Sequence, residues 1–169
     1  PFSLKYIALE DEVIDEGYWS RFDTVYNAVS EKYPDIKIIT NSDGASVNTT
    51  YKNVAVNEFY GKGKVDLYQN VHKYDDYERS GAQVTVDSFV SNADGIGTFI
   101  TTNNIWSALE NSAFLLGLEK NADIVQMASY KWSLAKRNGH SEKTSLIWFD
   151  SQDLLLTADY YSQMIFANN

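Results

Sequence analysis

A cluster of acidic side chains directly follows the first strand-like segment of the chain. The run LKYIAL at residues 4–9 has the length and apolar content of a short strand, and it is followed by Glu10, Asp11, Glu12, Asp15 and Glu16. Carboxylates are the side chains that calcium prefers, but their spacing here is not that of an EF-hand loop. A solvated acidic loop is therefore favoured over a calcium site.

Other chemistry-bearing motifs are few. The chain has no cysteine, which excludes a disulfide framework, a thiolate metal site and a cysteine nucleophile. The two histidines, His72 and His140, argue against a zinc site. The Gly95-Ile96-Gly97 run lacks the further glycine or lysine of a phosphate-binding loop, so we interpret it as a plain loop. We expect no metal and no cofactor.

Aromatic residues make up 14% of the chain, which suits either a well-filled core or a sugar-stacking surface. Trp19 and Trp106 lie on helical stripes and are predicted to be core residues. Trp132 and Trp148 follow the last strand of the main series, where they could stack on a sugar or pack against a partner. The sequon at Asn48 permits glycosylation if the chain is secreted.

Length and composition predict one globular domain spanning residues 1–169, because 44% of the residues are hydrophobic and 22% are charged. The net charge of −9 argues against nucleic acid or an anionic membrane surface as a partner, since both require a basic face. No apolar run has the length of a transmembrane helix. Because the chain begins at Pro1 rather than Met, we expect a processed or excised piece.

Strand-like and helix-like segments alternate along the chain, which predicts an α/β fold with a parallel sheet. The pattern places helices at residues 18–33, 104–118 and 158–167, and a weaker helical pattern at residues 49–60. The predicted strands of the main series start near Leu4, Ile36, Val65, Val84 and Ile124. Periodicity leaves two architectures open, which are an open doubly wound sheet and part of a (β/α)8 barrel.

Several motifs, in the same order, resemble the α-L-arabinofuranosidases of glycoside hydrolase family 51. The most specific is LGLEKNADIVQMASY at residues 116–130, which resembles the seventh helix and eighth strand of the family's barrel. The others are FSLKYI at residues 2–7, KYPDIKII at 32–39, YDDYERSG at 74–81 and LIWFD at 146–150, with Tyr160-Tyr161 after them.

The resemblance implies a partial (β/α)8 barrel that contains strands four to eight and their helices. Strands one to three and the family's flanking β-sandwich have no counterpart in the sequence. A five-stranded part of a barrel has two open edges and an uncovered inner face, which is a liability for an isolated chain. We therefore expect completion by another chain or segment that supplies strands one to three, or self-association.

The resemblance also places the two carboxylates of a retaining glycosidase, which lie about 5–5.5 Å apart in such enzymes. The family's Gly-Asn-Glu after strand four aligns with residues 10–12, so Glu12 keeps the acid/base position and Asp11 replaces the asparagine. In the segment VTVDSF at residues 84–89, Ser88 replaces the nucleophilic glutamate. Asp87 is one residue away, and only a local bulge would turn its side chain into the site.

A third part of the implied site has also changed. The family's Asp-Glu-His-Tyr after strand six aligns with Asp66-Leu67-Tyr68-Gln69, which keeps only the aspartate. The expected substrate contacts are Asp11, Asp66, Tyr68, Trp132 and Trp148. Because three active-site segments have changed while the packing motifs between them remain, the leading hypothesis is a catalytically degenerate barrel subunit that serves as a structural or interaction module.

The alternative hypothesis is a retaining arabinofuranosidase or a carbohydrate-binding protein that acts on arabinose-containing polysaccharides, with Glu12 as acid/base. An engineered barrel half is a third hypothesis. We expect an extracellular or secretory location.

Overall fold

The computed structural model describes residues 3–9, 16–41, 51, 53–60, 67–91, 103–137 and 144–168. The chain divides into two compact units. The first comprises Pro1–Glu58 and Glu78–Thr85, and the second comprises Phe59–Tyr77 and Val86–Asn169.

The main sheet contains the strands β1 to β5, in the same order as in the sequence. They span β1 Tyr6–Leu9, β2 Lys37–Asn41, β3 Val54–Tyr60, β4 Gln83–Phe89 and β5 Val125–Tyr130. β1 pairs with β2 in parallel, and β2 pairs with β3 in parallel. A doubly wound sheet would reverse its strand order at a switch point, whereas consecutive order is that of a barrel. The prediction of a partial barrel is confirmed.

The third strand of the series was predicted at the wrong position. The sequence pattern predicted it at residues 65–68 and assigned a helical pattern to 49–60, but β3 runs from Val54 to Tyr60. Leu67 lies in a turn, and Tyr68 begins a short 3-10 helix that ends at Asn70. The alternation of apolar and polar residues is weak in β3, because all but one of its residues are buried and a strand covered on both faces loses its period of two.

In the first unit, the helix α1 (Tyr18–Lys32) packs its aromatic side on the sheet. Tyr18 and Phe22 are buried with Ile38 and Val54, and Trp19 packs at the margin of this cluster. The Tyr18 hydroxyl also hydrogen-bonds the Thr40 hydroxyl. The helix ends just before Pro34, as the sequence predicts, because proline disfavours a helical conformation at the residue before it.

In the second unit, the helix α2 (Ile105–Lys120) begins at an Asn104 cap, whose side chain accepts hydrogen bonds from the backbone amides of Trp106 and Ser107 at 2.9 and 3.1 Å. The prediction that Trp106 is a core residue is wrong, because its side chain is 71% exposed. Ile105, Leu109 and Leu116 are exposed as well. The buried face carries small and polar residues instead, with Phe114, Leu115 and Leu118.

Gly117 lies where α2 approaches the backbone of Val71 closely. A Cβ atom at Gly117 would stand 2.1 Å from the carbonyl oxygen of Val71. Only a residue without a side chain fits this contact, although glycine is a poor helix former.

We expect Gly117→Ala to lower the free energy of unfolding by about 2 kcal/mol, because relief of the overlap requires the backbone to move. Gly81→Ala is the matched control, since its Cβ would meet only the Glu78 carbonyl oxygen at 3.2 Å and ordinary contacts beyond it. Urea unfolding of both variants provides the measurement, and equal midpoints for them would contradict the prediction.

The second unit ends in a small sheet and a helix. The strands β6 (Leu134–Lys136), β7 (Ile147–Phe149) and β8 (Leu154–Leu156) form this sheet, with β6 parallel and β8 antiparallel to β7. β6 is not among the strands predicted from the sequence. The helix α3 (Ala158–Ala167) follows as predicted. In the described ranges, none of the helices is long and apolar enough to span a bilayer.

Candidate functional site

The carboxyl ends of β3, β4 and β5 meet at one edge of the second unit. The amide of Val90 donates to the carbonyl of Tyr60 at 3.1 Å, and the amide of Lys131 donates to the carbonyl of Phe89 at 3.0 Å. These two bonds place the last residues of the three strands level with each other. In (β/α)8 barrels the active site is built at this edge, so we call it the carboxyl edge.

The last residue of each strand faces the helix α2. The ring centroids of Tyr60 and Phe89 lie 4.9 and 5.5 Å from that of Phe114 on α2, and the Phe89 ring meets the Tyr130 ring at 5.7 Å. Because successive side chains of a strand alternate between faces, Phe59, Ser88 and Lys131 belong to the opposite face. That face corresponds to the inside of a barrel.

A lysine and two aromatic rings cluster on this inner face. The ammonium of Lys131 lies 4.5 Å from the ring centroid of Phe59 and 4.3 Å from that of Trp132. Lys131 extends from β5 towards β3, and β4 with Ser88 lies between these strands in the sheet order. Trp132 has a φ of 59°, in the left-handed region that bulky residues rarely adopt. Such a conformation persists only where the surroundings hold it.

Ser88 occupies the position implied for the nucleophile, and it is buried. Asp87 precedes it on the opposite face of the strand, within a β4 that runs from Gln83 to Phe89 as one strand. A serine hydroxyl is a far weaker nucleophile than a carboxylate unless a base activates it. The geometry therefore provides no carboxylate from β4 on the inner face.

The helix α2 holds the chain that leaves β4. Glu110 accepts a hydrogen bond from the amide of Leu67 at 2.7 Å and also bonds the Ser91 hydroxyl. Asn111 accepts from the amide of Ser91 at 3.1 Å. Two buried side chains of one helix thus fix the residue that lies three positions after Ser88.

A buried carboxylate joins the two helices of the second unit. Asp159, in the first turn of α3, accepts hydrogen bonds from Asn103 at 2.9 Å, Ser107 at 3.0 Å and Asn111 at 2.7 Å. Burial raises the pKa of Asp159, and the charge of nearby Glu110 adds to this effect, while the three donors oppose it. Burial likewise raises the pKa of Tyr130 well above its usual range, and the charge of Asp159 adds to this effect.

The structure places some of the residues singled out in the sequence at the carboxyl edge and others elsewhere. Ser88 and Trp132 lie at the carboxyl edge. Tyr68 lies in the short 3-10 helix and is 51% exposed, rather than following a strand. Trp148 is buried in the small sheet, with 7% of its surface exposed, which leaves little of its ring for stacking on a sugar. The remaining candidates, Asp11, Glu12, Asn48 and Asp66, lie outside the described residues.

The sequence analysis did not single out two buried polar residues near the end of β3. Asn57 and Glu58 are buried near the carboxyl end of this strand, in the first unit. The error came from the position assigned to the third strand, which moved the expected site to Asp66. The run Val54-Ala55-Val56 was the available signal, because β-branched residues favour strands. Among the described residues, no group of three histidine, aspartate or glutamate side chains could hold a metal ion.

Two family models match the chain. The model of the α-L-arabinofuranosidase C-terminal domain matches residues 70–169, and that of the α-L-arabinofuranosidase 1 domain matches residues 1–79. Together they cover both compact units.

The chain is similar to curated proteins over its full length. It is 32% identical to α-L-arabinofuranosidase 1 of Arabidopsis thaliana and 29% identical to an extracellular exo-α-L-arabinofuranosidase of Streptomyces chartreusis, with 100% of the chain covered in both cases. These matches span 24% and 21% of the two relatives, so the chain spans about a quarter of their length or less.

A solved structure supports the same fold. An arabinose-bound α-L-arabinofuranosidase of family 51 superposes with a TM-score of 0.76 at 24% identity, over 100% of this chain and 28% of that protein.

Proposed function

Because the chain belongs to the α-L-arabinofuranosidases of glycoside hydrolase family 51, we propose that it is a catalytically degenerate barrel part that serves as an interaction module. The observation that carries this proposal is Ser88, a neutral side chain on the inner face of β4, where the family resemblance implies the nucleophilic glutamate. A retaining mechanism requires a carboxylate at that place. An assay of arabinofuranoside hydrolysis tests the proposal, and no turnover is expected.

The edge of β5 supports an interaction role. β5 is the last strand in the order of the main sheet, and its residues Met127, Ala128 and Ser129 are exposed. A groove of about 420 Å³ adjoins this strand and is lined by Leu115, Leu118, Met127 and Phe166, among others. An open strand edge beside an apolar groove is a template for a further strand.

The occupant that we propose for this edge is a parallel strand from the first part of a family barrel. The relatives carry about three quarters of their length outside the matched region, and three strands separate β5 from β1 in a closed eight-stranded barrel. A completed sheet would cover the exposed side chains of β5. A second copy of this chain is the competing occupant.

We expect Met127→Lys to prevent association at the β5 edge. At micromolar concentration the unmodified chain should sediment as a species heavier than 19.2 kDa, because open edges associate with each other. Addition of the part of the Arabidopsis relative that precedes the matched region should convert this species into a one-to-one complex. Met127→Lys should abolish both the self-associated species and the one-to-one complex, since a lysine at a strand edge opposes pairing.

Ile105→Lys is the matched control, because Ile105 is an exposed apolar residue of α2 outside the groove. It should leave association unchanged. A stable 19.2 kDa monomer that unfolds cooperatively and ignores the added segment would contradict the proposal.

Carbohydrate binding is the second candidate function, and the aromatic residues of the carboxyl edge favour it. Phe59 is 43% exposed, and Trp132 is held in a backbone conformation that bulky residues rarely adopt. Exposed aromatic rings at the active-site edge of a barrel are suited to the apolar faces of sugars.

We propose an extracellular or secretory location, which the Streptomyces relative and the sequon at Asn48 support.

A further inference from the structure

We infer that Lys131 makes the carboxyl edge a binding site for a sugar that bears a carboxylate, which is a uronate. The inference rests on the proposed carbohydrate binding and names its substrate class. It starts from the charge of the inner face, where the described ends of β3, β4 and β5 contribute Phe59, Ser88 and Lys131. These three side chains include one cation, that of Lys131, and no carboxylate.

The ammonium of Lys131 has unused hydrogen-bonding capacity. It lies against the rings of Phe59 and Trp132, and ring faces attract a cation without using its N–H donors. Within the described part of the chain, Lys131 makes no ion pair, whereas Lys120 bonds Asp75 at 2.7 Å. An ammonium has three donors, and a carboxylate is the acceptor that bonds it most strongly.

The two rings place the ammonium rather than compete with it. Contact with Phe59 at 4.5 Å draws the lysine side chain across the end of β4, above the strand that carries Ser88. The left-handed backbone at Trp132 turns its ring to the same ammonium at 4.3 Å. A cation fixed by two rings loses little further conformational entropy when it binds an anion.

The surroundings limit the kind of anion. With a net charge of −9, the chain repels long polyanions, so a single carboxylate on an otherwise neutral saccharide is the fitting ligand. The exposed part of the Phe59 ring offers an apolar surface to the sugar that carries this carboxylate. Neutral arabinosides give Lys131 no charged partner, so the site favours a uronate over them.

The test measures the binding of three probes to the full chain by calorimetry. The probes are xylotriose, xylotriose with one arabinofuranosyl substituent and xylotriose with one glucuronosyl substituent. We expect the glucuronosyl probe to bind at least about tenfold more tightly than the arabinosyl probe, and higher salt to reduce this difference. Lys131→Met should remove the preference. Lys131→Arg should retain it, which separates loss of charge from loss of folding.

Lys136→Met is the control, because Lys136 is an exposed lysine of β6. It should bind all three probes as the unmodified chain does. Equal affinity for the arabinosyl and glucuronosyl probes would overturn the inference and leave carbohydrate binding in place. A preference that survives Lys131→Met would overturn the inference too, and absence of binding to any probe would overturn both proposals.

Discussion

We expect the chain to release no measurable nitrophenol from p-nitrophenyl α-L-arabinofuranoside, alone or with a completing partner. On the inner face of β4, Ser88 stands where the family resemblance implies the nucleophile, and Asp87 faces the other way. Without a carboxylate there, no covalent glycosyl–enzyme intermediate forms and the oxocarbenium-like transition state loses its nearest negative charge. Removal of a positioned nucleophile lowers the turnover rate by roughly 10⁴-fold or more.

The decisive measurement is a long incubation at high protein concentration beside the Arabidopsis relative as a positive control. Glu12→Gln and Asp87→Asn serve as diagnostic variants if any product appears. Turnover that both variants abolish would show this prediction to be wrong and would identify Asp87 as a substitute nucleophile. Turnover that neither variant changes would indicate a contaminating enzyme, because the resemblance implies no other acid/base residue.

The sequence predicted the fold well where local patterns agree with burial. Four of the five strand starts lie within two residues of their predicted positions, and α3 matches its predicted bounds. β3 could not be found in this way, because a strand that is buried on both faces has no alternating pattern. The burial predicted for Trp106 is wrong, since α2 buries Glu110 and Asn111 to hold Ser91 and leaves Trp106 in solvent.

The candidate site was harder to predict from the sequence than the fold. The family resemblance singled out Ser88, which lies near the end of β4, and its assignment to the nucleophile position stays a prediction. Nothing in the sequence indicated that Lys131 would lie against Phe59, because the two residues are far apart in the chain and meet only when β3 and β5 flank β4. This contact depends on the position of β3, which the sequence pattern placed at residues 65–68 instead of Val54–Tyr60.

Asp159→Ala should lower the free energy of unfolding by about 3 kcal/mol. The substitution leaves the half-buried amide of Asn103 and the buried amide of Asn111 without their acceptor, and it leaves the Ser107 hydroxyl only the Asn104 carbonyl. These donors belong to α2 and to its N-terminal approach, so the loss weakens the attachment of α3. Asp35→Ala, at an exposed position, should change the free energy of unfolding by less than about 0.5 kcal/mol.

The pH dependence of Asp159 distinguishes the cost of burial from the benefit of its donors. Burial raises the pKa of this carboxyl above its usual 3.8. As the pH rises, Asp159 therefore ionises at a lower pH in the unfolded chain than in the folded chain. Its contribution to stability is therefore complete below pH 3.8 and declines as the pH rises through the folded-state pKa. Asp159→Asn cannot ionise, so the stability of the unmodified chain relative to Asp159→Asn should fall between pH 4 and pH 7 in urea unfolding. A relative stability that rises over this range would mean that the three donors outweigh burial and that the folded protein prefers the ionised carboxylate.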